Sequence, residues 1–561
     1  MRKPYLFFLL SMVLCGYSVS LVAQGEPFTK RTVVSGLNSA WEVLYGPNDS
    51  LWVTENSAYL ISRIDIATGA KTVLVNLRAT DGTINFLSSV ANPPQGGLMG
   101  LAIHPNLYSS DPAVRAAKPW VYAAYVYNRG SCPGNNSSCV YTTKIVRFTY
   151  SGNTLNSPVT IINTIPGSSD HNSGRLVFSP VIEPGADAAH TQYRLYYTVG
   201  DMGAGQFQNT GRTENAQNVD VMEGKVLRLN TESDGDAGQD AWIPNDNPFF
   251  NSASITPRDY VYTLGHRNAQ GLAWGNVNGT NILYSTEQMD RTDDEINIIE
   301  AGKNYGWDQV SGYCDNNVNG YKIGQNTSAN ENAFCSVPAN NHQEPIFTTY
   351  TEPASGMAAL MAQSNNQLWP TLALSSVDFY GFGKIAGWKS SLFITGLKLN
   401  KVCRLKLNAA GTDVVGDTIG YFSGDGNRIR RIRVSPDGLK FYVARDASAT
   451  SNGGAIMEYT YAGIVLALNE NPGAGPVQVE DMISVYPNPV KDILNIHGKR
   501  DLRKPLYAQV MDINGRQLLS ASSFHNDFTI HVGSLQTGTY ILKLYNGNNM
   551  EVQVVKFVKV K

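Results

Sequence analysis

His171 directly follows Asp170, and a further carboxylate, Asp201, stands at the next strand end. An imidazole titrates near neutrality, so a histidine set among carboxylates is a natural general base. Four cations, Arg267, Lys398, Arg428 and Arg430, recur downstream at the junctions of loops and strands. Cations in such numbers suit a polyanionic ligand, and guanidinium binds carboxylates through paired hydrogen bonds. Gln95, Asn268, Gln270, Gln288, Thr371 and Asp446 occupy equivalent junctions with polar groups, and Trp369 offers an aromatic wall. Each residue alone has an ordinary reading: a turn former, a rim ion pair, a structural histidine. Their common position within a repeat is what points to a site.

That repeat is an apolar strand, a Pro/Asn/Gly turn, a second strand, a short polar connection and a third strand. Second strands read Leu51–Glu55, Val121–Tyr125, Leu195–Val199, Ile282–Thr286, Leu392–Thr395 and Phe441–Ala444. They are rich in β-branched and aromatic residues and are bounded by turn formers. Six such meanders predict an all-β chain, a six-bladed β-propeller of four-stranded antiparallel blades. A pair of β-sandwiches is the alternative. In a meander the start of strand one and the end of strand two share one end. The loops entering first strands carry Gln95, Asp170–His171, Arg267–Asn268, Gln270, Trp369, Thr371, Arg428 and Arg430. Second strands end at Asp201, Gln288, Lys398 and Asp446. All these residues are therefore expected around one mouth. Long connections at 78–97, 203–222 and 310–369 are candidates for functional loops.

The rest of the chain frames this core. The net charge is −2 over 561 residues, which gives no electrostatic footprint for nucleic acid. Arg2 and Lys3 precede a short apolar run, which predicts a secretory signal peptide over residues 1–23. Cys15 leaves a lipoprotein as the alternative. Export permits disulfides, and Cys132 with Cys139 and Cys314 with Cys335 are candidate pairs flanking polar loops. Cys403, inside an apolar strand, reads as a buried free thiol. The repeat spans residues 25–463. A Pro/Gly-rich linker covers 464–480, and short alternating strands over 481–561 predict a small C-terminal β-sandwich.

Several blocks resemble one family, the soluble PQQ-dependent sugar dehydrogenases. They include Gly97-Leu-Met-Gly-Leu-Ala-Ile-His-Pro105, Asp170-His-Asn-Ser-Gly-Arg-Leu176, Gly224-Lys-Val-Leu-Arg-Leu-Asn230, Tyr262-Thr-Leu-Gly-His-Arg-Asn-Ala-Gln-Gly-Leu272 and Gly302-Lys-Asn-Tyr-Gly-Trp307. The resemblance implies oxidation of an aldose at C1 to its lactone, with pyrroloquinoline quinone (PQQ) and Ca2+ as cofactors and an external electron acceptor. It makes His171 the base, supported by Asp201, and Arg267 the cation at the quinone oxygens. Gln95, Asp170 and Trp369 would face the sugar. Asn268, Gln270, Gln288, Thr371, Lys398, Arg428, Arg430 and Asp446 would serve the cofactor. One calcium would use carbonyls of Met289 and Asp290; a second would use Glu295, the Tyr305 carbonyl and Asp315. The family also suggests a homodimer. Four positions depart from its pattern: Met289-Asp290 replaces Gly-Pro, Asn366 replaces a pocket Tyr, and Arg431 replaces an Asp. Residues 316–367 match it poorly. A binding or adhesion propeller and a calcium-dependent lactonase are the alternative functions. The Tyr486-Pro-Asn-Pro489 and Gly538-Thr-Tyr540 motifs resemble the sorting domain of type IX secretion. That implies surface or extracellular export through that machinery; a carbohydrate-binding or adhesion sandwich is the alternative.

Overall fold

The structure is a computed structural model. It describes residues 26–561 apart from 85–95, 131–140, 185–190, 207–208, 235–240, 252–253, 325, 329, 427, 447–452, 464, 466–482, 499–505, 513–515, 524–526 and 547–550. Gln95, Cys132 and Cys139 lie outside the described residues, as do the leader and most of the linker.

Among the described residues, six four-stranded antiparallel sheets occupy positions 28–461. The first is Ala40–Gly46, Ser50–Glu55, Leu60–Asp65 and Lys71–Asn76. Each of the next four likewise opens on a first strand: Leu98–Ile103, Ser173–Phe178, Ala269–Val277 and Leu374–Tyr380. The sixth runs Ile429–Val434, Lys440–Arg445 and Gly454–Tyr461, and its fourth strand is Phe28–Leu37 from the other end of the chain. Every first strand contacts the next, and Ile429–Val434 returns to Ala40–Gly46. The six first strands thus close a ring.

Alternation decides what fills the ring. Successive side chains of a strand point to opposite faces, so a strand between two sheets is apolar on both. Leu51, Trp52 and Val53 are all buried, as are Leu195, Tyr196 and Tyr197. The result is one apolar wedge between each pair of neighbouring sheets. Each fully buried Leu or Phe in a wedge contributes about 1.5–3 kcal/mol.

One regularity concerns the site directly. In all six sheets the register between first and second strands slips near the start of the first strand. A bulge inserts a residue and re-aims the side chains beside it. Six bulges therefore sit at the same end of the ring, the end that carries His171, Asn268 and Arg428.

The C-terminal residues form a three-stranded and a four-stranded sheet. They share a core of Val490, Leu494, Ile496, Val510, Leu542, Leu544 and Phe557. No helix of the described residues is long and apolar enough to cross a membrane. Cys314 is joined to Cys335, and Cys403 is a buried free thiol.

Candidate active site

His171 sits in the loop before the third sheet with φ +45°, a left-handed backbone. Gly200 makes that conformation possible: a Cβ there would lie 1.9 Å from the His171 carbonyl oxygen. The next residue, Asp201, accepts from His171 Nδ1 at 2.8 Å and from the Gly203 amide at 2.8 Å. Its second oxygen accepts from Trp307 Nε1 at 3.0 Å. Asp201 is 1% exposed, so its charge acts without solvent screening. The other ring nitrogen is Nε2. It lies 3.9 Å from Asp170 Oδ1.

The imidazole opens on a cavity of about 770 Å³. Asp170, His171, Arg267, Gln288, Met289, Asp290, Trp369, Thr371, Lys398 and Arg428 all line it. Six loops spread over the chain have therefore converged, as the repeat geometry requires. Lys398 Nζ donates to Thr371 Oγ1 at 2.7 Å and to the Asn366 carbonyl at 2.6 Å. Any residue at 366 supplies that carbonyl, so the Asn departure leaves this contact intact. Burial lowers the Lys398 pKa, and Asp294 opposes the shift. Arg267 Nη1 donates to the carbonyls of Gln288 (3.0 Å) and Met289 (2.7 Å), and its guanidinium faces Trp307 at 5.2 Å. Asp290 Oδ1 lies 3.8 Å from Arg267 Nη2. The Met289 side chain is buried in an apolar cluster with Trp307 and Val318.

Other expected residues stand behind the cavity wall. Asn268 accepts from the Ser173 amide at 3.1 Å and donates to Gln288 Oε1 at 3.0 Å, so it braces two loops. Gln270 accepts from Arg430 Nη1 at 2.7 Å, and Arg430 Nη2 donates to Asp446 at 2.8 Å. Asp446 also receives Arg428 Nη2 at 3.2 Å. Gln270, Arg430 and Asp446 thus form a layer beneath the cavity, reaching it through Arg428. Trp369 is anchored by its indole N–H to the Gln363 carbonyl at 2.8 Å.

Deeper in the ring lies a charge cluster. Glu42 accepts from Arg175 Nη1 and forms an ion pair with Arg431, whose Nε lies 2.7 Å from Glu42 Oε1. Arg175 donates further to the carbonyls of Gln270 (2.9 Å) and Ser375 (3.0 Å) and stacks on Trp41 at 4.1 Å. Burial opposes the Glu42 charge, but Arg175 and Arg431 hold its carboxyl below the usual range. Arg431 stands where the resembled family has a carboxylate. In this chain Arg431 pairs with Glu42, on the first sheet.

Three acids were not singled out by sequence. Asp294 is buried, lines the cavity and accepts from the amides of Met289 (3.0 Å) and Leu372 (2.8 Å); burial pushes it up to about 6. Glu214 shares the Trp307 N–H with Asp201, at 3.2 Å, and burial with the Asp201 and Asp308 charges pushes it up to about 9. Glu331 adjoins the expected second calcium site. Burial and the like charges around them raise Asp293 and Glu331 to about 7, and Glu295 well above its usual value. Glu214 and Glu331 lie in the long connections 203–222 and 310–369, where an acid carries no local signal.

The oxygens Asp293 Oδ1, Asn297 Oδ1, Asn317 Oδ1 and Glu331 Oε2 are buried and lack a donor among the described residues. Orphaned hard oxygens are the donor set calcium prefers. A second grouping of ligand-type atoms, Cys314, Cys335 and His342, is spent on the disulfide.

A closed ring of antiparallel sheets thus carries a histidine paired with a buried carboxylate, and several cations, around one cavity at its hub. The chain belongs to the glucose/sorbosone dehydrogenase family, whose model matches residues 37–339 and 338–457. A secretion-system C-terminal sorting domain matches residues 484–560, which indicates export to the cell surface or beyond. The chain is 31% identical over 493 residues to quinoprotein glucose dehydrogenase B of Acinetobacter calcoaceticus, covering 78% of this chain and 92% of that one. It is 32% identical over 238 residues to aldose sugar dehydrogenase YliI of Escherichia coli, covering 42% of this chain and 51% of that one. The apo soluble aldose sugar dehydrogenase structure from Escherichia coli shares the fold at a TM-score of 0.53 and 22% identity, over 78% of this chain and all of that one.

Proposed function

We propose that this protein is an exported quinoprotein that oxidises an aldose at C1 to the lactone. Residues 25–463 form a six-bladed β-propeller, and residues 481–561 form a β-sandwich that addresses the chain to type IX secretion. Residues 1–23 are the signal peptide, and 464–480 the linker. One observation carries the reading: the buried His171–Asp201 pair opens on the same cavity as Arg267, Lys398 and Arg428.

The cavity residues fit PQQ, a tricarboxylate. Lys398 and Arg428 offer the cationic cradle, and Gln288 and Thr371 offer polar contacts. When bound, PQQ with its calcium would supply a two-electron oxidant that takes a hydride from C1. The remaining work belongs to the chain. His171 Nε2 takes the proton from the anomeric hydroxyl, and Asp201 stabilises the imidazolium that results. Arg267 brings a fixed positive charge to the site, needing no reorganisation during the reaction. Asp170 and Trp369 orient the sugar. The Met289 and Asp290 carbonyls can hold one calcium. Glu295 and Asp315, with Asp293 and Glu331, can hold another. The electrons leave to an external acceptor.

The test is to reconstitute the purified chain with PQQ and Ca2+ and follow dye reduction with a panel of aldoses. Turnover that disappears in His171→Ala, with PQQ still retained, is the expected result. No PQQ uptake and no reduction by any aldose would overturn the proposal and leave a binding module.

A further inference from the structure

A second cavity, of about 510 Å³, adjoins the first, and Asp290 and Trp369 line both. Its own walls include Gln206, Arg291, Tyr321 and Lys322. The Arg291 guanidinium lies over the Trp369 ring, 5.1 Å from its centroid. Among the described residues its Nη1 meets only the weak acceptor Met361 Sδ, at 2.7 Å, and its Nε is buried without a partner. Gln206 Nε2 is a second buried donor without an acceptor among those residues. Among the described residues, neither Arg291 nor Lys322 has a carboxylate within 4.0 Å. The one carboxylate on the wall, Asp290, lies beside Arg267.

Two cations without a carboxylate, Arg291 and Lys322, and an idle Gln206 donor beside an aromatic ring describe a particular ligand. Trp369, with the Arg291 guanidinium across one face, supplies an aromatic wall, and the cations favour negative charge. Because the two cavities share a wall, an occupant of the second can be covalently continuous with the aldose in the first. We infer that the second cavity is a glycosyl subsite for an anionic sugar unit, a uronate or a sulfated pyranose, linked to the aldose that is oxidised. Tyr321, Lys322 and Met361 belong to the 316–367 segment that departs from the family pattern, so the subsite is a property of this chain. The inference rests on the sugar-oxidising reading for its chemistry. Its binding prediction stands separately.

The first measurement needs no cofactor. Methyl glycosides of three disaccharides, alike except for a neutral, carboxylate or sulfate group on the distal unit, are titrated calorimetrically into the full chain. They have no free anomeric hydroxyl and cannot be oxidised. A charge-assisted contact predicts roughly tenfold tighter binding of an anionic glycoside than of the neutral one. The tighter of the two anions names the group. Arg291→Gln and Lys322→Gln should each reduce the margin to below about threefold. The exposed position of Lys322 makes it the variant least able to disturb folding. The second measurement uses the loaded enzyme and the matching reducing disaccharides. The same margin should appear in KM, while Lys322→Gln leaves turnover of a neutral monosaccharide unchanged. Equal affinity for neutral and anionic glycosides, or a margin that survives both substitutions, would overturn the subsite. A margin in binding without turnover of any aldose upholds the subsite and rejects the dehydrogenase reading alone.

Discussion

Asp201→Asn tests the base assignment at its support. The Asp201 carboxylate accepts from three donors: His171 Nδ1 at 2.8 Å, the Gly203 amide at 2.8 Å and Trp307 Nε1 at 3.0 Å. Asparagine offers one oxygen and one amino group to those three. If its oxygen stays on His171 and Gly203, the amino group meets the indole N–H, donor against donor. A buried unsatisfied pair of that kind costs about 1–3 kcal/mol of stability. If it turns the other way, the amino group faces Nδ1 and forces the ring proton onto Nε2, where the base must be empty. Even the first arrangement loses the charge that stabilises the imidazolium. Unit charges about 4 Å apart interact by about 4 kcal/mol at an effective dielectric of 20. The neutral hydrogen bond that remains offsets part of this, so kcat should fall by roughly 100- to 1,000-fold. Dye reduction by the PQQ- and calcium-loaded variant measures it, with urea unfolding as the stability control. A kcat within about threefold of the parent, in a protein where His171→Ala is inactive, would show that Asp201 neither orients nor charges the base.

The ring interior supplies a stability test. Glu42→Ala leaves Arg175 and Arg431 buried side by side, which should cost about 3–5 kcal/mol in chemical unfolding; a loss below about 1 kcal/mol would refute the pairing. Glu214 supplies a pH test. Its carboxyl is raised from 4.5 to about 9, so the native state keeps a proton that the unfolded chain releases. That contribution is complete below about pH 4.5 and is lost as pH rises to about 9. Glu214→Gln should therefore match the parent melting temperature at the acid end and exceed it progressively toward pH 9. Parallel curves would remove Glu214 from the buried acid pair. Calcium supplies a third. Chelation should lower the melting temperature by several degrees, and Ca2+ should restore it where Mg2+ does not, because the orphaned oxygens suit a larger oxygen-liganded ion. Indifference to chelator would refute that site.

Strand positions were readable because each buried strand is apolar and each turn carries Gly, Pro, Asn or Asp. Lys440–Arg445, for example, contains the expected Phe441–Ala444 run. The convergence of His171, Lys398 and Arg428 followed from strand direction alone. What escaped was anything that depends on small displacements. The six bulges leave no compositional mark, yet Gln270 and Arg430 sit at two of them and lie beneath the cavity, where their shared strand end had grouped them with Arg428. Glu42 stands as a lone acid in an apolar strand, without a local hint that it pairs with Arg175 and Arg431. Glu214 and Glu331 lie in long connections, whose paths are set by tertiary contacts rather than local pattern. The closing strand Phe28–Leu37 pairs across more than 400 positions, as its Thr29–Thr460 contact shows, and no local signal reports such a partner.

That last pairing has a consequence for how the enzyme comes into being. A torus sealed by its own opposite extremities stays ajar on a nascent chain until the final strand of the sixth sheet has emerged. The hub, and any affinity for a quinone or a divalent ion that depends on it, is then among the last things to exist.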